Sequence, residues 1–248
     1  MAESKTSTNV ETCADTLRRS ILDGTIAPET RLPPERRLAE QFGVNRVTVR
    51  SALARLAESG LLTVRQGSGY LVRDFRKHGG PDLLLPIANL AAEQGSLPEV
   101  AADLLLVRRQ LTAGLLERLC SSMTRARRER IEKAVDAFEL VVQEEGGAES
   151  LAQVDLDILS ALLMASGSAV LGLSLNPLAA ALNSLPEVRE AIYQHPKENL
   201  AAWQRIVDWL SQPTRSGIEG IIAELKLRDE RAVAEIDATI RWDRMART

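Results

Sequence analysis

The sequence predicts a mainly α-helical chain, with an N-terminal winged helix-turn-helix domain followed by a C-terminal all-α helical bundle. Three observations predict it. Residues 31–72 read as two short helices joined by a glycine turn and followed by a glycine-rich hairpin. From residue 81 onward, leucine and alanine recur at helical spacing between Gly, Ser and Pro breaks, and β-branched runs are scarce. Charge is also unevenly placed. Residues 31–77 hold ten Lys+Arg against four acids, a net of +6 in a chain of net −3, which leaves −9 elsewhere. A basic segment on an acidic chain fits local contact with phosphate, not a protein that coats nucleic acid with its whole surface.

The elements follow in order. Residues 1–8 are polar and are expected to fray. A helix from about Val10 to Asp23 places Val10, Ala14, Leu17, Ile21 and Leu22 on one side, and Gly24 closes it. Pro33 and Pro34 are tolerated at a first helical turn, and Glu35 puts a negative charge at the positive end of the helix dipole. Leu38, Ala39 and Phe42 form the apolar face of that helix, and Gly43 can take the left-handed conformation that ends it. Asn45 is a good N-cap for the next helix, which runs to about Glu58 with Val49, Ala52, Leu53 and Leu56 inward. Leu61–Val64 and Tyr70–Val72 read as strands around the turn Gln66-Gly67-Ser68-Gly69.

The second helix carries the chemistry. Arg46 and Arg50 share a face at i and i+4, and Thr48 near its N-terminal turn is expected to point outward with them. In a helix-turn-helix this end enters the major groove. There arginine can pair with guanine O6 and N7, and arginine or threonine can equally hold a phosphate. An outward arginine pair alone is usually a solvated face. The Pro-Glu-Arg opening, glycine turn, Arg/Thr face and glycine-rich wing, in that order, favour a DNA reader.

The rest of the chain is read more coarsely. Length gives two domains as the prior: residues 1–73 as the reader, 74–80 as a polar linker ending in two glycines, and 81–248 as the bundle. Helices are predicted at Pro81–Gln94, Leu97–Ser122, Arg125–Glu144, Glu149–Ala165, Ala169–Asn183, Pro186–Tyr193, Pro196–Ser211, Ser216–Lys226 and Asp229–Met245. No stretch of 18 apolar residues and no signal peptide stands in the sequence, so a soluble, cytoplasmic protein without membrane contact is expected. Cys13 and Cys120 fall in different domains and read as buried thiols. With two histidines in the chain, His78 and His195, no Cys/His or Ser/His/Asp set can be assembled, and the wing glycines are too few for a phosphate loop. An enzyme is therefore not expected.

The N-terminal segment resembles the reader domain of GntR-family transcription regulators. The resemblance rests on Leu32-Pro33-Pro34-Glu35-Arg36, Leu38-Ala39, Gly43-Val44-Asn45-Arg46-Val47-Thr48-Val49-Arg50, and Gly60-Leu61-Leu62 through Gly67 and Gly69. It implies that Arg36, Asn45, Arg46, Thr48 and Arg50 are major-groove and phosphate contacts. It also implies that Gln66 and Gly67, at the wing tip, enter the minor groove, although many relatives have histidine where Gln66 stands.

The second domain resembles the helical domain of the FadR branch of that family, through Asp155-Leu156-Asp157-Ile158-Leu159, Ala165-Ser166-Gly167-Ser168 and Leu106-Val107-Arg108. Most of the branch binds a divalent metal through one Asp and three His. Here Leu159 and Gln204 stand where two of those histidines would be, and no metal and no cofactor are expected. Asp155 is then expected to be an exposed or hydrogen-bonded helix residue. Within the branch, lack of these histidines marks the fatty-acid regulators, which long-chain acyl-CoA releases from DNA. Gly80-Pro81-Asp82-Leu83-Leu84 and Trp242-Asp243-Arg244-Met245 extend that likeness.

The resemblance thus implies a homodimer on a palindromic double-stranded operator, controlled by a small-molecule effector such as a fatty acyl-CoA. Arg108 and Trp242 would border the effector pocket. Leu182, with Leu159, Leu162, Leu163 and Leu175, would supply an apolar tunnel, although leucines at such spacing equally make an ordinary core. The alternative is a regulator of carboxylate metabolism with a different, metal-free effector.

Overall fold

The computed structural model describes residues 2–65 and 69–246. Its contacts divide the chain into two compact units, residues 1–90 and 91–248.

The first unit begins with α1 (Ala2–Leu22). This helix starts well before Val10, since propagating a helix is far easier than nucleating one. Val10, Cys13, Ala14, Leu17 and Ile21 are buried on one side of it. The two prolines then stop the chain, and α2 (Glu35–Phe42) starts on Pro34. Gly43 closes it in the left-handed conformation, at φ +64°. Asn45 caps α3 (Arg46–Glu58), its side-chain oxygen accepting the Thr48 N–H at 2.8 Å. Such a cap is worth about 1 kcal/mol.

β1 (Leu62–Arg65) and β2 (Gly69–Val72) pair antiparallel, with Leu62 opposite Val72 and Arg65 opposite Gly69. The outer edge of β2 is covered by residues 30–32. Leu32 N–H donates to the Tyr70 carbonyl at 3.0 Å, and Val72 N–H to that of Thr30 at 2.9 Å. A solvated edge strand is thereby removed. The core of the unit gathers Leu38 from α2, Val49, Leu53 and Leu56 from α3, and Leu61, Leu62 and Val72 from the wing.

The compact unit continues past residue 73. Asp74 caps a single turn, α4 (Phe75–His78), and a 3₁₀ turn at Pro81–Leu83 follows. Phe75, Leu83 and Ile87 join the same core. Gly60 makes this possible. It sits at φ +77°, and a Cβ there would run into the carbonyl oxygen of His78. α5 (Leu84–Gln94) then leads into the second unit.

The second unit is all helical: α6 (Leu97–Ser122), α7 (Arg125–Gln143), α8 (Ala148–Ser166), α9 (Ala169–Ser184), α10 (Pro186–Tyr193), α11 (Pro196–Ser211) and α12 (Arg215–Ala246). α6 packs along α12, and α7 along α8 and α11. Leu115, Leu116, Leu119, Ile131, Phe138, Leu151 and Ile158 form its dry centre. Gly167 ends α8 in the left-handed region, and Ser168 caps α9.

One sequence expectation is corrected here. The two helices predicted at 216–226 and 229–245 are a single helix, α12. No Gly or Pro interrupts 226–229. Asp229, which resembles a helix-starting residue in sequence, is 5 % exposed and is held by Arg108 and Arg109 of α6. Among the described residues no single helix is long and apolar enough to cross a membrane. Cys13 is a buried thiol and Cys120 a half-buried one.

Candidate functional site

Two places concentrate polar chemistry, one in each unit. In the first, Arg36, Arg46 and Arg50 are all exposed at the surface formed by α2 and the first turns of α3. The Arg50 guanidinium is held by Glu35, through Nε to Oε1 at 3.1 Å and Nη2 to Oε2 at 2.8 Å. The Arg50 hydrogen bonds, with the charges of Arg50 and Arg46, keep the Glu35 carboxyl below its ordinary range against the opposing effect of burial. Arg36 lies 3.8 Å from Glu40 one turn on. Among the described residues no ion pair holds Arg46.

Thr48 does not share this face. It is 2 % exposed, whereas Val47 is 70 % exposed. The spacing carries the signal: Thr48 lies four residues before buried Ala52 and so on the inward side, while Val47 stands beside Arg50 on the outward side. Asn45 is exposed and uses its side-chain oxygen on the helix cap, a bond that does not engage its amide N–H donors. The wing candidates Gln66 and Gly67 lie outside the described residues.

In the second unit, a cavity of about 80 Å³ opens among α6, α8, α10, α11 and α12. Its apolar wall is Leu115, Leu116, Leu159, Leu162, Ile192, Ile206 and Leu225. Its polar wall is Arg108, Thr112, Asp155, Trp203 and Arg228. The Trp203 indole N–H donates to Asp155 Oδ1 at 2.7 Å. Burial pushes the Asp155 carboxyl up, against the Trp203 hydrogen bond and the charges of Arg108 and Arg228. Tyr193 has its hydroxyl pushed up, first by burial and then by the charge of the same Asp155 carboxyl. Arg228 is so buried that its pKa is lowered, and its Nη2 donates to Asn199 Oδ1 at 2.5 Å. Arg108 Nη2 donates to Asp229 Oδ1 at 2.7 Å, and Arg109 bonds the other oxygen.

The wall holds two guanidiniums (Arg108, Arg228) against one carboxyl (Asp155), and behind it Arg109 and Asp229 add one charge of each sign. One positive charge is uncompensated, and protonation of Asp155 would add another. Buried charges of one sign are costly unless paired, so this wall favours an anion.

The sequence candidates divide here. Arg108, Leu159 and Leu162 line the cavity. Leu182 does not: it is a core residue of α9, 1 % exposed. Trp242 does not either, being 70 % exposed near the end of α12. Gln204 is exposed, and the residue turned to the cavity is its neighbour Trp203. Asp155 is half-buried and hydrogen-bonded. Trp203, Tyr193 and Arg228 were missed, because they come from three different helices and no spacing links them. The residues around Asp155 do not fit a metal. Its neighbours are two guanidiniums and an indole N–H, which are donors, and Leu159 offers no ligand atom. Among the described residues no three His, Cys, Asp or Glu side chains converge.

Comparison with known proteins places both units. Residues 9–72 match the family model described as bacterial regulatory proteins, gntR family, and residues 103–237 match the FCD domain. The chain is 33 % identical over 159 residues to a fatty acid metabolism regulator protein of Pectobacterium carotovorum, covering 64 % of this chain and 63 % of that one. It is 33 % identical over 157 residues to the protein of the same name from Escherichia coli, covering 63 % and 62 %. An HTH-type transcriptional regulator of Mycobacterium tuberculosis is 42 % identical over 99 residues, 35 % of this chain and 41 % of that one. The match thus spans less than two thirds of these relatives. A solved structure of the Lar protein of Listeria monocytogenes aligns over 90 % of this chain and 96 % of that one, at 15 % identity with TM-score 0.56, which is a likeness of fold alone.

Proposed function

We propose a reading whose premise is that the chain belongs to the gntR family of bacterial regulatory proteins, with an FCD domain as its second unit. It is a transcription regulator that binds a palindromic double-stranded operator as a homodimer through α3 and the wing. A small organic anion bound in the FCD cavity controls it. The observation that carries the effector class is the cavity wall of two guanidiniums, Arg108 and Arg228, against one carboxyl, Asp155, set opposite leucines and isoleucines. A carboxylate would sit against Arg108 and Arg228, with its apolar body against Leu159, Leu162 and Ile206.

Size favours a compact ligand. The cavity measures about 80 Å³, whereas sites for drug-sized molecules run to roughly 300–1,000 Å³. A long-chain acyl-CoA, the effector implied by resemblance, would need the helices to part. What supports that second reading is the name of the relatives, which are called fatty acid metabolism regulators.

Control follows from linkage. An effector shifts the equilibrium between two arrangements only by its different affinity for them, and DNA must weaken effector binding by the same factor. Native mass spectrometry of the purified protein, followed by calorimetric titration with carboxylates from acetate to decanoate and with the matching CoA thioesters, tests the reading. The expected result is a dimer that binds a free carboxylate at one site per chain. Binding of long-chain thioesters only would establish the second reading, and a monomer that binds none of them would contradict both.

A further inference from the structure

We propose that Glu35 is a positioning residue for Arg50, making it an aligned base reader instead of a general phosphate-seeking cation. The proposal rests on the DNA-reading function proposed above. A guanidinium has five N–H donors. The Glu35 carboxylate takes the edge formed by Nε and Nη2, with Nε also 3.3 Å from Oε2. Both Nη1 hydrogens and one on Nη2 remain, all at the free end of the side chain. That end presents two parallel donors, the geometry that matches guanine O6 and N7.

The carboxylate is itself fixed. Glu35 opens α2 directly after two prolines, and α2 and α3 share a core through Leu38, Val49 and Leu53. Glu35 is the less exposed partner, its side chain 25 % accessible against 66 % for Arg50. An exposed ion pair does little for stability, so its value here lies in orientation. Its charge also acts on DNA. A carboxylate bonded to Arg50, and near enough to Arg46 to feel its charge, weakens the pull of this face on any phosphate backbone while leaving the aligned donors free. Affinity for arbitrary sequence falls, and discrimination rises. Arg46, on the same face, has no such brace among the described residues.

The test uses the full chain and an operator selected by it from random duplexes. Affinity for this operator and for a scrambled duplex is measured over a salt series, for the wild type, Glu35→Gln, Arg50→Ala and the double variant. With Glu35→Gln, the scrambled duplex is expected to bind more tightly, with a salt slope steeper by about one unit, as for one added phosphate contact. The operator-to-scrambled ratio is expected to fall about tenfold, within the range for losing one bidentate base contact. In the Arg50→Ala background, Glu35→Gln should leave the ratio unchanged, since the brace has nothing to hold. An unchanged ratio in the otherwise wild-type chain, or an equal fall with and without Arg50, overturns the proposal. Failure of the wild type to enrich any sequence overturns the DNA-reading premise as well, and that result is distinct from an operator whose recognition ignores Glu35.

Discussion

The reader surface and the FCD cavity are assembled in opposite ways. Glu35, Arg36, Arg46, Val47 and Arg50 lie within sixteen consecutive positions, set by two capped helices and one glycine turn. Arg108, Asp155, Trp203 and Arg228 come from four helices and meet only when the bundle closes. A local site is written in short-range rules of capping, spacing and turn chemistry. A distributed one depends on packing, which many leucine-rich sequences satisfy equally well.

The comparison makes testable claims, the largest first. Arg46→Ala and Arg50→Ala should each weaken operator binding by about 10–100-fold, the range for losing one bidentate base contact, while the circular dichroism spectrum and melting temperature stay close to those of the wild type. Normal operator affinity in both variants would remove the reader from its half of the comparison. Arg108→Gln should weaken carboxylate binding by about 10–100-fold, the range for losing one charged hydrogen-bond partner, while operator affinity without effector is unchanged. Calorimetry and anisotropy on the same preparation check both parts. If Arg108→Gln impairs operator binding to the same degree, the two sites do not have separate tasks.

Smaller effects sharpen the contrast. Gly60→Ala should cost about 1–3 kcal/mol, the range for a strained left-handed residue, because its methyl group also displaces the His78 carbonyl. Denaturant melts of the isolated change measure it, and a neutral result would show that residues 75–87 are not anchored on the reader core. In the cavity, Asp155 has a raised pKa relative to its usual 3.8. The sign follows directly. The native state prefers the protonated acid, so the stability tied to this group is complete below about pH 3.8 and is lost as pH rises through the raised value. Asp155→Asn, which keeps an acceptor for Trp203, should therefore gain on the wild type in melting temperature as pH goes from 4 to 7. A constant difference would contradict the burial of this carboxyl. Glu35 has the opposite shift, below its usual 4.5. Its contribution is complete above that value and is lost as pH falls through the lowered one, and the Glu35→Gln difference should vanish in acid.

What the sequence reveals follows the same division. The prolines, Gly43 and Asn45 marked α2 and α3 closely, since each of them imposes a backbone conformation that leaves little choice. Thr48 reads as outward from its place beside two arginines, yet its spacing to Ala52 turns it into the core. The bracing of Arg50 by Glu35 spans fifteen positions across a turn, and helical periodicity carries no trace of it. In the bundle, Arg108 was found through its resemblance to the family. Leu182 and Trp242 were assigned to the pocket on the same grounds, but one fills the α9 core and the other faces solvent. The break expected before Asp229 did not occur, because two arginines of α6 hold that residue inside a continuous helix.

The central claim is that an anion in the FCD cavity governs DNA binding by the reader. Operator affinity of the wild type and of Arg108→Gln, measured with and without carboxylate at a concentration that occupies the wild type but lies well below the dissociation constant of Arg108→Gln, tests it most directly. The account predicts that the carboxylate weakens operator binding by the wild type and leaves Arg108→Gln unaffected, both proteins binding the operator equally in its absence. Equal weakening in the two proteins would contradict it.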